Sequence, residues 1–107
     1  MKYQLVIQFP ASSSEDFDRL VAFEESLMEG LDDSSEVDGH DFGMGEFNVF
    51  IFTDEPAKTF EGVQQIVKSQ PPPYPMRVAY RDRPYSDGAN ENFIILWPLN
   101  LKEFKVI

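Results

Sequence analysis

Tyr3, Leu5, Ile7 and Phe9 alternate with Lys2, Gln4, Val6 and Gln8 at the start of the chain. Alternation with a period of two predicts a half-buried strand, which Pro10 ends. Ser12, Ser13 and Ser14 then stand ahead of Glu15 and Asp16, an arrangement that caps a helix and sets acids against its positive end. Phe17, Leu20, Val21, Leu27, Met28 and Leu31 recur at three- and four-residue spacing. They predict an amphipathic helix with Glu24 and Glu25 facing outward and Gly30 near its end. Glu36 to Phe42 has strand spacing but only Val37 and Phe42 as apolar residues, which suits a sheet edge guarded by charge. Gly43-Met44-Gly45 predicts a hairpin turn of about three residues, the glycines supplying positive φ.

Phe47, Val49 and Ile51 alternate with Asn48, Phe50 and Phe52, so the strand after this turn is apolar on both faces and belongs inside a sheet. Thr53 or Asp54 is expected to cap a second helix that holds Pro56 in its first turn and buries Phe60, Val63, Ile66 and Val67. The prolines from Pro71 to Pro75 impose an extended loop. Met76, Val78 and Tyr80 mark a fourth strand. Asp87-Gly88 marks a turn in a polar loop, and Phe93 to Trp97 a fifth strand stopped by Pro98. The order β-α-β-β-α-β with an added strand predicts an α+β, ferredoxin-like split βαβ sandwich. Its antiparallel sheet would carry both helices on one face, with the first and third strands central. Residues 99–107 have no clear period.

Composition narrows this picture. A chain of 107 residues with 42% apolar positions makes a single domain, 1–107, that needs no metal or disulfide to fold. The absence of Cys excludes thiol catalysis, disulfides and zinc–thiolate sites. The apolar run at the start is too short for a signal peptide, and no segment reaches the length of a membrane helix, so a soluble cytoplasmic protein is expected. The net charge of −10 is unevenly spread. Residues 1–55 carry 14 acids and 2 bases, whereas residues 56–107 carry 5 acids and 7 bases. Such a field repels nucleic acid. It is read either as solvated helix faces or as an acidic surface that selects a basic partner.

If the helices cover Leu5, Ile7 and Phe9, the opposite sheet face presents Gln4, Val6 and Gln8. From the third strand it takes one of two alternating sets, of which Asn48, Phe50 and Phe52 are preferred. Val6, Phe50 and Phe52 then form an apolar patch that something must cover. Three covers are open: the C-terminal segment with Trp97 and Phe104, a second copy in a homodimer, or a protein partner. Aromatics on the third strand also resemble those of RNA-recognition domains, but the basic-Gly start of that motif is replaced by Gly45-Glu46.

His40 is the sole histidine and lies among Asp38, Asp41 and Glu46. An imidazole oriented by a carboxylate makes a general base, so His40, Asp41 and Glu46 are the catalytic candidates, set against a plain polar edge strand. No Ser or Cys nucleophile accompanies them at a recognisable elbow. The acids Asp32, Asp33, Glu36, Asp38 and Asp41 fail the EF-hand spacing, since Gly45 falls where the final Glu is needed. Gly43-x-Gly45 is too short for a dinucleotide fingerprint. No metal or cofactor is expected. Arg77, Arg81 and Arg83, near Tyr80 and Tyr85, are read either as an anion site or as partners for this chain's carboxylates.

The run Gly43 to Pro56, preceded by Asp38-Gly39-His40-Asp41, resembles small single-domain bacterial proteins sharing a G-x-G-E-x-N-x-F-I-x-T-x-x-P signature and having no established activity. Some of them carry transporter labels, for which this chain offers no phosphate-binding loop. Glu46 and Asn48 of the signature are read as bracing the hairpin by bonding turn amides. Together these readings give a non-enzymatic interaction or regulatory module, an immunity-type inhibitor being one concrete version. The alternative is a small enzyme or ligand-binding domain using His40 with Glu46 or Asp41.

Overall fold

The computed structural model describes residues 1–83 and 93–106; Tyr85 and the Asp87-Gly88 turn lie outside them. Strand β1 spans Tyr3–Pro10, helix α1 Ser14–Gly30, β2 Ser35–Gly43, β3 Glu46–Thr53, α2 Pro56–Ser69, β4 Arg77–Asp82 and β5 Ile94–Trp97. The expected element order is therefore observed, and the class is α+β. The strands form one antiparallel sheet in the order β2-β3-β1-β4-β5, which puts β1 in the middle and β3 in the interior beside it.

The register of β1 on β3 explains the core. Leu5 lies opposite Ile51, Ile7 opposite Val49 and Phe9 opposite Phe47. All six side chains are fully buried, and each burial contributes roughly 1.5–3 kcal/mol. They share one apolar cluster with Leu20, Phe23 and Leu27 of α1, Val63 and Ile66 of α2, and Val78 of β4. Gly30 ends α1 where a Cβ would stand 2.7 Å from Ile66 Cδ1, so its lack of a side chain lets the helices close up. No helix among the described residues is long and apolar enough to cross a membrane.

Strand β2 solves a parity problem. Val37 pairs with Ile51, but Gly39 pairs with Phe50, so Asp38 is an extra residue, a β-bulge. In an unbroken strand Val37 and Phe42 would point to opposite faces. After the bulge, His40 lies opposite Val49 and Phe42 opposite Phe47, so Val37, His40 and Phe42 all sit on the face of the main core.

Two local expectations are corrected. The hairpin loop is the two-residue Met44-Gly45, because Gly43 already pairs with Glu46. Met44 and Gly45 have φ of 54° and 80°, the two positive values that a type I′ turn needs to match the strand twist. Helix α2 has Glu55 as its N-cap with no side-chain cap bond. Thr53 Oγ1 instead accepts the Glu55 N–H at 2.9 Å and shares a 2.8 Å bond with the buried Thr59 hydroxyl. Asp54 accepts the Lys2 N–H at 2.8 Å. For α1 the serine reading is right: Ser13 and Asp16 form a reciprocal capping box. Asp16 also accepts the Ser12 N–H and the Tyr74 hydroxyl, and these bonds hold its carboxyl down at about 2.

Among the described residues Met44 is the one with a side chain found at positive φ, and it is 79% exposed. A left-handed conformation costs an L-residue about 1–2 kcal/mol, and Asn tolerates it better. Met44→Asn is expected to raise stability by about 0.5–1 kcal/mol, read as a higher urea midpoint with an unchanged slope.

Candidate functional site

The second face of the sheet collects the residues named from sequence. Gln4 lies opposite Phe52, Val6 opposite Phe50 and Gln8 opposite Asn48, the preferred of the two sets. This face is closed, not open. Val6 and Ala79 are fully buried and cluster with Phe104, while Phe50, Phe93, Ile95, Leu101 and Val106 pack around them. The chain after β5 turns at Pro98, whose carbonyl accepts the Leu101 N–H at 3.0 Å, and then crosses the face. Gln8 Nε2 fastens it, donating to the Lys105 carbonyl at 2.7 Å and to Asn48 Oδ1 at 3.0 Å. Of the three covers, the C-terminal segment takes this place through Phe104. Trp97 stays 45% exposed.

Cations complete the lid. The Arg83 guanidinium lies 3.8 Å from the Phe52 ring centroid, and that of Arg81 lies 4.6 Å from Phe93. Arg81 Nε also donates to Gln4 Oε1 at 3.1 Å. These arginines therefore lie over aromatic faces, a use the sequence reading did not include.

His40 finds a partner that the sequence reading turned away from. Asp41 pairs with Asn48, and Glu46 lies opposite Pro10, so both belong to the second face and His40 to the first. The His40 Nδ1 is 2.9 Å from Glu24 Oε1 on α1. Glu24 does not face outward; it is 4% exposed. One signal in the sequence marked it: Glu24 lies on the stripe of Leu20, Leu27 and Leu31, at helical spacing from all three. The imidazole stacks on Phe47 with centroids 5.0 Å apart and meets Phe17 edge-on. Glu24 Oε2 is buried with no hydrogen-bond partner.

An imidazole on a buried carboxylate has the form of a general base. Substrate space is another matter. A cleft of about 330 Å³ lies between the end of α1 and α2, lined by Asp32, Ser34, Lys58, Gly62 and Gln65. A second, of about 280 Å³, lies against Pro71, Pro72 and Pro73. Two more, of about 220 and 250 Å³, adjoin at Gln8, Glu46 and Arg77. None of these four is lined by His40 or Glu24. Asp32 is occupied by the Ser34 N–H and hydroxyl, which lower its pKa. Among the described residues no group of three or more His, Asp or Glu could hold a metal.

The signature residues do not bond turn amides. Asn48 accepts from Gln8, and Glu46 Oε1 is buried with no partner.

The two sheet edges differ. On β2, Glu36, Asp38 and Asp41 are exposed beside the bulge, and both features discourage strand addition. On β5 all four residues, Ile94, Ile95, Leu96 and Trp97, are apolar and uncharged. Ile94 is 54% exposed, Trp97 45%, and the following Leu99 83%. Among the described residues no strand pairs with the outer side of β5. Comparison with protein-family models, curated proteins and solved structures finds no match to the chain.

Glu24 and His40 are separable by substitution. Removing His40 leaves the buried carboxylate without its bond and removes the stack on Phe47, so His40→Ala should cost about 2–3 kcal/mol. Glu24→Met removes the buried charge and leaves a half-exposed imidazole that water can satisfy, so it should be neutral or stabilising. Urea denaturation of both variants checks the order; a larger loss in Glu24→Met contradicts it.

Proposed function

We propose that this chain is a non-enzymatic protein-interaction module of ferredoxin-like design, and that it associates with a second copy of itself through the β5 edge. Support for the design is the run β2-β3-β1-β4, with β5 added outside β4, and the single core shared by residues of both helices. The observation that carries the function is the unblunted edge: four apolar residues whose outer side pairs with no strand among the described residues, with Ile94, Trp97 and the following Leu99 in solvent. Such an edge is a template for strand addition. Charge chooses the occupant. The acids gather in residues 1–55, on α1 and β2, whereas β4, the Arg83 that follows it and the C-terminal segment supply Arg77, Arg81, Arg83, Lys102 and Lys105. Two copies joined at β5 keep their acidic halves at opposite ends of one continuous sheet.

A second reading rests on those acids. The side formed by α1 and β2 presents Glu25, Glu29, Asp32, Asp33, Glu36 and Asp38 to solvent, and a basic partner is drawn to such a surface, as with an immunity-type inhibitor. The pairing of His40 with Glu24, away from the four clefts, favours either binding reading over an enzyme.

Sedimentation equilibrium from low micromolar to near-millimolar concentration separates the two. Wild-type protein is expected to dimerise, and Ile94→Lys combined with Trp97→Lys to remain monomeric with an unchanged melting temperature, since both side chains are exposed. A wild-type monomer throughout the range rejects the β5 dimer and leaves the acidic side as the interaction surface.

A further inference from the structure

Glu46 stands in an odd position for a carboxylate. It begins β3 directly after the hairpin, and its Oε1 is buried without a hydrogen bond. A carboxylate oxygen so placed has lost its water and gained nothing in return, which is unfavourable. Arg77, at the start of β4, lines the same two clefts. No ion pair joins it to Glu46: the four ion pairs among the described residues lie elsewhere. Both side chains flank Gln8, which is 3% exposed and fixed at Nε2 by Asn48 and by the Lys105 carbonyl.

We propose that the joined clefts around Glu46 and Arg77 bind a small zwitterion, a molecule of the α-amino-acid class. Its ammonium is held by the Glu46 carboxylate and its carboxylate by the Arg77 fork. Three considerations select this ligand. The first is charge. Glu103 and Lys105 on the rim pair with each other at 2.6 Å, which leaves one anionic acceptor and one cationic donor for a guest. An anion alone is repelled by Glu46, and a cation alone by Arg77, whereas a dipolar molecule satisfies both. The second is size. The adjoining clefts, of about 220 and 250 Å³, place the site toward the small end of the ~300–1,000 Å³ range of ligand pockets. The third is the wall: Pro10 and Pro75 offer an apolar flank to a short aliphatic side chain.

The test is a titration of the full chain with L-alanine, followed by backbone amide NMR and by calorimetry, with sodium acetate and methylammonium chloride as the two halves of the ligand. L-Alanine is expected to shift the amides of Gln8, Gly45 to Asn48 and Arg77 and to saturate, and each half to bind at least about tenfold more weakly. Glu46→Gln and Arg77→Met should each weaken L-alanine at least about tenfold, as loss of one charge-assisted bond implies. The ligand-free Glu46→Gln protein should unfold at the same or a higher urea concentration than wild type, because it gives up an uncompensated buried charge. No saturable shift with L-alanine, binding unchanged in Glu46→Gln, or a lowered unfolding midpoint in that variant overturns the proposal, the last by showing that Glu46 is a structural group.

Discussion

Strand β3 buries side chains on both of its faces, and a sheet containing such a strand must be covered on both sides. Phe47, Val49 and Ile51 are covered by the cluster that holds Leu20, Phe23 and Leu27 of α1 and Val63 and Ile66 of α2. Phe50, on the reverse, packs in the smaller cluster with Val6, Ala79 and Phe104. The helices are a long, periodic solution to the first demand. The segment after β5 is a short one to the second, fastened by a buried amide, Gln8, whose bonds run to Asn48 and to the Lys105 carbonyl. Once the second face is spent on the chain's own tail, the surfaces left for a partner are the sheet edges, the acidic side of α1 and β2, and the rims of the clefts.

Much of this architecture was legible from periodicity, and the places where it was not share a cause. The strands β1 and β3, the helix α1 and the Ser13 cap follow from local patterns that no tertiary contact overrides. The tail had no period because its four anchoring residues, Leu101, Phe104, Lys105 and Val106, are spaced to reach pockets on a sheet, not to build an element of their own. The hairpin was read one residue too long because Gly43-Met44-Gly45 has glycines at both ends, and φ alone decides which pair turns. Glu24 was sent to solvent by its charge, although its spacing from Leu20 and Leu27 put it on the buried stripe.

The bulge at Asp38 links several of these features. It moves His40 to the helix-covered face, where Glu24 can meet it, and it brings Phe42 against Phe17 and Phe47. The same irregularity, with the acids around it, blunts the β2 edge against strand addition. Residues that looked like a catalytic cluster in sequence, His40, Asp41 and Glu46, are split between two faces by strand alternation, His40 lying opposite Val49 and Asp41 opposite Asn48. His40 becomes part of the packing, Asp41 part of a guarded edge, and Glu46 the floor of a cleft.

The account depends most on the tail being core. Phe104 is 4% exposed over Val6 and Ala79, and truncating a buried Phe to Ala costs ~3–5 kcal/mol against total stabilities of about 5–15 kcal/mol. The direct measurement is urea denaturation of Phe104→Ala beside wild type. A loss of about 3 kcal/mol or more, with new binding of a hydrophobic dye to the native state, is the predicted result. A loss below about 1 kcal/mol with no dye binding would show that the tail only rests on the sheet, and the second face would again be the open surface its aromatics imply.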